Sequence, residues 1–143
     1  MEKLLISACL VGENCKYNGG NNALPAESLA ALRARFVLVP VCPEVLGGLP
    51  TPRVPSERRG DRVVNRAGED VTEAFRRGAE AALAIARREG CRRALLKSNS
   101  PSCGSGQFYD GSFSGTLTAG DGVTAECIKQ QEIEVYDTIN SMI

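Results

Sequence analysis

Short uninterrupted apolar runs alternate along this chain with stretches whose apolar residues recur every three or four positions. Lys3-Leu-Leu-Ile-Ser7 and Phe36-Val-Leu-Val-Pro-Val41 are runs of the first kind. Each leads into a cysteine and turn-forming residues, as expected for strands buried on both faces of a parallel sheet. Between them, residues 25–35 place Leu29 and Leu32 on one side, with Pro25 near the first helical position, which predicts a helix and hence a β-α-β unit. Asp70-Val-Thr-Glu73 has the form of a capping box. Val71, Phe75, Ala79, Ala82 and Ala86 follow at helical spacing as far as Gly90, so the longest helix belongs there. Arg93 to Lys97 predicts a third buried strand, Ala119 to Gln131 a last helix, and Ile133 to Tyr136 a short final strand. Gly47 to Gly60, rich in Gly and Pro, is expected to be a long loop with a functional or lid-like role.

This alternation implies an α/β, Rossmann-like three-layer domain with a mainly parallel sheet, taken as one domain over residues 1–143. In such folds ligands sit beyond the carboxyl ends of the strands. Cys9 follows the first strand, Cys42 ends the second and Cys103 lies just past the third, so the three are expected to converge on one crevice. Cys91 precedes a strand and Cys127 falls in a predicted helix, where each fits the ordinary part of a small buried hydrophobe. Cys15, in the first loop, is either a spare thiol, a fourth ligand or a structural residue.

Composition narrows the chemistry. Seventeen Lys and Arg balance seventeen Asp and Glu, so no global field favours nucleic acid or a membrane surface. No apolar stretch approaches the roughly 20 residues of a membrane helix. The eight residues before Cys9 are too few for an export signal. Six cysteines without the spacing of a stapled scaffold fit reduced thiols and a cytoplasmic location. There is no histidine, which excludes Ser-His-Asp and Cys-His catalysis and HExxH zinc sites.

Converging thiols without imidazole leave three readings open: simple packing, a zinc site, or an iron-sulfur cluster held by three thiolates. The polar, turn-rich settings of CLVGENC, CPEVLGG and SPSCGSG count against packing, and the absence of any CxxC counts against structural zinc. A C-x5-R phosphate loop does not fit, because Cys15 occupies the position where Arg is needed. No GxxxxGK or GxGxxG pattern occurs.

Ser7-Ala-Cys9-Leu with Cys15-Lys-Tyr-Asn-Gly19, Cys42-Pro-Glu44 with Gly47-Gly-Leu-Pro-Thr-Pro-Arg53, Gly68-Glu-Asp-Val-Thr72, Lys97 with Ser100-Pro-Ser-Cys-Gly104, and Tyr109-Asp-Gly-Ser-Phe-Ser-Gly115 occur in that order. Together they resemble the family called domain of unknown function 523, which includes 2-thiouracil desulfidases. The likeness runs through nearly the whole chain and is to the short form, without the further domain that some relatives carry. It implies a 4Fe-4S cluster on Cys9, Cys42 and Cys103 that takes sulfur from a thiolated nucleobase or nucleoside without net redox change. It also implies a catalytic pair, Glu44 and Ser100. Ser102, Arg53 and Asp110 are further candidates for substrate binding, each with a plain alternative: Ser102 as a turn residue, Arg53 as the anchor of an acidic neighbour, Asp110 as part of the Tyr-Asp-Gly turn. The expected partner is a small thiolated base or nucleoside; thiolated tRNA is conceivable but not indicated by charge, and the chain is expected to be a monomer or homodimer. The rival classes are a zinc- or cluster-binding protein without catalysis and a hydrolase with Cys9 as nucleophile.

Overall fold

A computed structural model describes residues 1–142. Strand β1 (Glu2–Ser7) has Leu4, Leu5 and Ile6 fully enclosed, so both its faces are covered, as its unbroken apolar run predicts. A single 3-10 turn over Ala8–Val11 follows and carries Cys9. Helix α1 (Ala26–Arg35) leads to strand β2 (Phe36–Val41), which pairs in parallel with β1 from Glu2↔Phe36 to Ser7↔Val41. Pro25 takes the N-cap position, one residue before the place expected for it. Pro40 is accommodated because β2 is an edge strand.

Helix α2 (Pro43–Leu46) is a single turn with Cys42 at its N-cap position. The expected long loop stops at Pro55, because Ser56–Arg59 (β3) and Arg62–Asn65 (β4) form an antiparallel hairpin about Gly60 and Asp61. Both strands are too polar to register as an apolar run, although Gly-Asp is a recognised two-residue hairpin turn. Helix α3 (Thr72–Glu89) is the longest, burying Phe75, Ala79, Ala82 and Ala86 and ending on the left-handed Gly90. Its entry differs from a capping box. The Asp70 carboxylate accepts the Thr72 amide at 2.9 Å, whereas Glu73 turns to Arg76 at 3.1 Å rather than back toward residue 70.

Strand β5 (Arg93–Leu95) pairs with β1, and β6 (Gln107–Tyr109) pairs with β7 (Leu117–Ala119) in a second antiparallel hairpin. The last helix, α4, spans only Val123–Lys129, shorter than the expected 119–131. Ala119 ends β7, and Gly120 and Gly122 turn the chain between the two elements. Strand β8 (Glu134–Tyr136) closes the sheet against β5.

The central sheet runs β2-β1-β5-β8, all parallel. Alternation along β1 divides the core. Leu5 faces a layer made by Ala82, Leu83 and Ala86 of α3 with Ala125 and Ile128 of α4; Leu4 and Ile6 face Leu32 of α1 and Met142. Helices therefore cover both faces of a parallel sheet, the expected Rossmann-like arrangement. The chain leaves β1 toward β2 on one side and later adds β5 on the other, so the crevice between the ends of β1 and β5 is the topological switch point. Among the described residues no helix is long and apolar enough to cross a membrane.

Candidate functional site

A cavity of about 540 Å³ opens at that switch point, and Cys9, Cys15, Cys42 and Cys103 all line it. Each thiol arrives on a different piece of backbone. Cys9 sits in the 3-10 turn that continues β1, Cys42 takes the N-cap position of α2 directly after β2, and Cys103 lies in the turn after β5. Cys15 comes from the loop behind Cys9, and the Cys42 thiol points toward its carbonyl at a long 3.8 Å. All six cysteines are free. Cys91 and Cys127 belong to the α3/α4 core layer, away from the cavity.

The Cys103 turn is built by its small residues. The Ser100 hydroxyl accepts the amides of Ser102 and Cys103 at 3.1 and 3.0 Å. The carbonyls of Pro101 and Ser102 accept the first amides of α4, Val123 at 2.9 Å and Thr124 at 2.8 Å. Those amides would otherwise be orphaned at the helix start, so the turn and α4 fix each other. Gly104 and Gly122 are required where these backbones touch: a Cβ on Gly122 would stand 2.6 Å from the Ser102 carbonyl oxygen. Ser102 is 1% exposed, shares a 2.7 Å bond with the Thr124 hydroxyl and lies outside the cavity lining.

Short helix α2 is set by two further glycines. A Cβ on Gly78 of α3 would fall 1.9 Å from the Pro43 carbonyl oxygen, and one on Gly47 would fall 1.9 Å from the Ala74 carbonyl oxygen. Backbone therefore rests directly on backbone, which brings Pro43, and with it Cys42 and Glu44, against α3. The Glu44 carboxylate lines the cavity and meets Arg53 Nε at 3.1 Å. Arg53 also donates through Nη2 to the Cys15 carbonyl (2.9 Å) and through Nη1 to Pro50 and Thr51. With its side chain only 6% exposed, Arg53 acts as a knot tying Glu44 to two loops. Asp110 is placed elsewhere: its carboxylate bonds the amide and hydroxyl of Ser112, and it does not line the cavity.

Several lining residues were not among the sequence candidates, although Tyr17, Lys97, Tyr109 and Phe113 lie in the stretches that carry the family resemblance. Asn22, in the polar loop before α1, reaches the Cys9 thiol. Lys97 stands at the end of β5, its amide donated to the Ser7 hydroxyl at 2.9 Å. Tyr17, Tyr109 and Phe113 supply aromatic surface to the cavity. The turn that carries Phe113 is pinned by Glu57, which accepts the amides of Gly111 (3.0 Å) and Phe113 (3.1 Å). The Tyr109-Asp-Gly stretch thus reaches the cavity through its tyrosine rather than its aspartate.

Electrostatically the site resists negative charge while it is made of protein alone. Burial raises the thiols of Cys9 and Cys103, the latter to about 12, although Ser7 and Ser102 bond to Cys103 in the opposite sense. Burial and the neighbouring Cys42 push Cys15 to about 12 as well. Burial also lifts Glu44 above the usual carboxylate range, outweighing Arg53. A cationic centre placed among the thiols reverses this balance by favouring their thiolates. Among the described residues, no three His, Cys, Asp or Glu side chains gather closely enough to hold a single metal ion. Four thiols and no imidazole line the cavity, a donor set that suits an iron-sulfur cluster held by thiolates.

The family profile for 2-thiouracil desulfurase matches residues 4–139. A Bacillus subtilis (strain 168) protein designated uncharacterized protein YbbK is 43% identical over 137 residues, covering 89% of each chain. A solved structure described as the 4Fe-4S-dependent thiouracil desulfidase TudS superposes with a TM-score of 0.91 at 47% identity, covering 96% of this chain and 91% of that one. With a match spanning nearly all of its length, sheet and site included, the chain belongs to the 2-thiouracil desulfurase family.

Proposed function

We propose that the protein, acting as a single domain, removes sulfur from a small thiolated pyrimidine base or nucleoside by hydrolysis, with a 4Fe-4S cluster held by Cys9, Cys42 and Cys103. The observation that carries this reading is the meeting of those three thiols with Glu44 and Ser100 in one cavity at the sheet's switch point. When bound, the cluster supplies a Lewis-acidic iron without a cysteine ligand, able to accept the sulfur of the substrate. The donor set fits it: thiols without histidine are the ordinary ligands of iron-sulfur clusters. The family match and the 4Fe-4S-dependent structural neighbour favour the cluster over a single zinc ion.

The rest of the chemistry falls to the protein. Glu44, largely buried and made a stronger base by that burial, takes a proton from the water that attacks the ring carbon, and Arg53 keeps its carboxylate in place. The Ser100 hydroxyl already accepts two amides, so its own proton is free to be donated to the substrate's ring. Tyr17, Tyr109 and Phe113 offer faces on which a flat base packs. Ser102 and Asp110 order the turns behind these groups. Thiols that must stay reduced suit a cytoplasmic enzyme.

Anaerobic reconstitution tests this directly. The holoprotein should carry about four iron and four sulfide per chain and convert 2- or 4-thiouracil to uracil and sulfide with no reductant or nicotinamide. A fully loaded protein that frees sulfide from no thiolated base or nucleoside would refute the assignment.

A further inference from the structure

Six charged side chains line the cavity: Lys16, Glu44, Arg53, Glu57, Arg66 and Lys97. Five of them are engaged. Glu44 pairs with Arg53, and Glu57 accepts two backbone amides. Lys16 lies 5.7 Å from the Tyr17 ring centroid and Arg66 5.6 Å from that of Phe113. Lys97 differs. None of the ion pairs or cation-ring contacts among the described residues involves it. Its ammonium makes two long contacts to its neighbour, the Ser98 carbonyl at 3.2 Å and the Ser98 hydroxyl at 3.3 Å, which leaves one of its three donors unused.

Its position is nonetheless well determined. The bond from its amide to the Ser7 hydroxyl locks the end of β5 to the end of β1, two residues before Cys9. Lys97 and Cys9 line the same cavity. A half-buried ammonium without a counter-charge is unfavourable unless the working state brings an anion to it. In the reading proposed above, on which this inference rests, two anionic sulfurs arise there: the Cys9 thiolate and the sulfur expelled from the substrate.

We infer that Lys97 is the electrostatic partner of sulfur in this site: its fixed ammonium offsets the negative charge of the Cys9 thiolate and of the departing sulfur. The step balances without an oxidant or reductant. Water oxygen bonds to the ring carbon as the C=S π pair moves onto sulfur, and one water proton passes to Glu44; the C–S bond then breaks with both electrons on sulfur while the second proton moves from the new hydroxyl to sulfur, leaving a carbonyl on the ring and hydrosulfide. Lys97 keeps its proton throughout and acts by charge alone.

Reconstituted wild type, Lys97→Met and Lys97→Arg test this by potentiometric titration of the cluster and by steady-state kinetics. In the Met variant the reduction potential should move to a more negative value, because net charge near a cluster sets its potential. Its kcat should fall on the order of a hundredfold with KM changed little, and Arg should restore most of both. Unchanged potential and kcat in a fully loaded Met variant would overturn the inference, as would an Arg variant as defective as Met. Should Met load no cluster, loading restored by Arg supports the charge requirement, whereas loading lost in both makes Lys97 structural and defeats it. A wild-type holoprotein that releases no sulfide refutes the desulfurisation reading instead. The potentials still decide for Lys97 in that event, and no shift between wild type and Met removes its proposed part.

Discussion

Replacing Gly78 with alanine isolates the contact that seats α2. On an open helix this change stabilises by about 1 kcal/mol, because glycine is the poorer helix former. Here the new Cβ would stand 1.9 Å from the Pro43 carbonyl oxygen and 2.7 Å from its carbon. Contacts to a Cβ essentially never fall below 3.0 Å, so the backbones must part by at least 3.0 − 1.9 = 1.1 Å. Both atoms at the contact are main chain and cannot rotate away. Overpacking of this kind costs about 1–3 kcal/mol, so propensity offsets only part of it, and the net loss is about 0–2 kcal/mol. The larger effect should fall on function, since Pro43 lies between Cys42 and Glu44. A shift of 1.1 Å exceeds the roughly 0.5 Å tolerance of a working constellation. Thermal melting, iron content and turnover of Gly78→Ala should therefore show a modest drop in Tm with a severe loss of loading or kcat. Ala84→Gly, at an exposed position of the same helix, should lose about 1 kcal/mol while keeping the site intact. A Gly78→Ala protein with wild-type loading and turnover would refute this account of how α2 is held.

Single Cys→Ser changes at 9, 42 or 103 should abolish cluster loading by iron assay, while the same change at Cys91 or Cys127, in the core layer, should leave it intact. Glu44→Gln should retain the cluster and lose most turnover, because an amide cannot take the proton. With Glu44 as the proposed base, active when deprotonated, and with its pKa raised by burial, turnover should fall as pH drops through a value above that of an ordinary carboxylate. Arg53→Met removes the cation that opposes this rise, so the acid limb of the pH-rate profile should move to higher pH. Ser102→Ala leaves the buried Thr124 hydroxyl without its 2.7 Å partner and should lower stability by about 1–3 kcal/mol in denaturant titration.

Legibility in the sequence followed the physics of each element. The runs around Leu4-Leu5-Ile6 and Phe36–Val41 had to be buried on both faces, which placed β1 and β2 and, with them, the edge where Cys9 and Cys42 stand. The hairpins β3–β4 and β6–β7 went unseen because each consists of three- or four-residue strands held by backbone pairing, with little apolar alternation. Ala119–Gly122 was absorbed into a helix because its lone apolar residue continues the spacing of α4, while Gly120 and Gly122 turn the backbone. Within the site, residue types were legible but their engagements were not. Arg53 reaches back to Cys15, 38 residues away, and Ser102 is closed off by Thr124, 22 residues on. Gly78 gave only a negative sign, a glycine within a helical pattern, whose reason is the oxygen of Pro43.

The three proposed ligands stand at the ends of three different strands, 42 − 9 = 33 and 103 − 42 = 61 residues apart. A body bound to all of them cross-links the chain much as two successive disulfides would, closing two long loops whose entropy the unfolded chain otherwise keeps. Loading and folding then become one linked equilibrium. Any agent that strips the iron also loosens the sheet edge, and a chain still emerging from synthesis has no complete set of ligands until the turn after β5 has formed. On the proposed ligation, the switch-point crevice is also where the cluster would sew the ends of β1, β2 and β5 together.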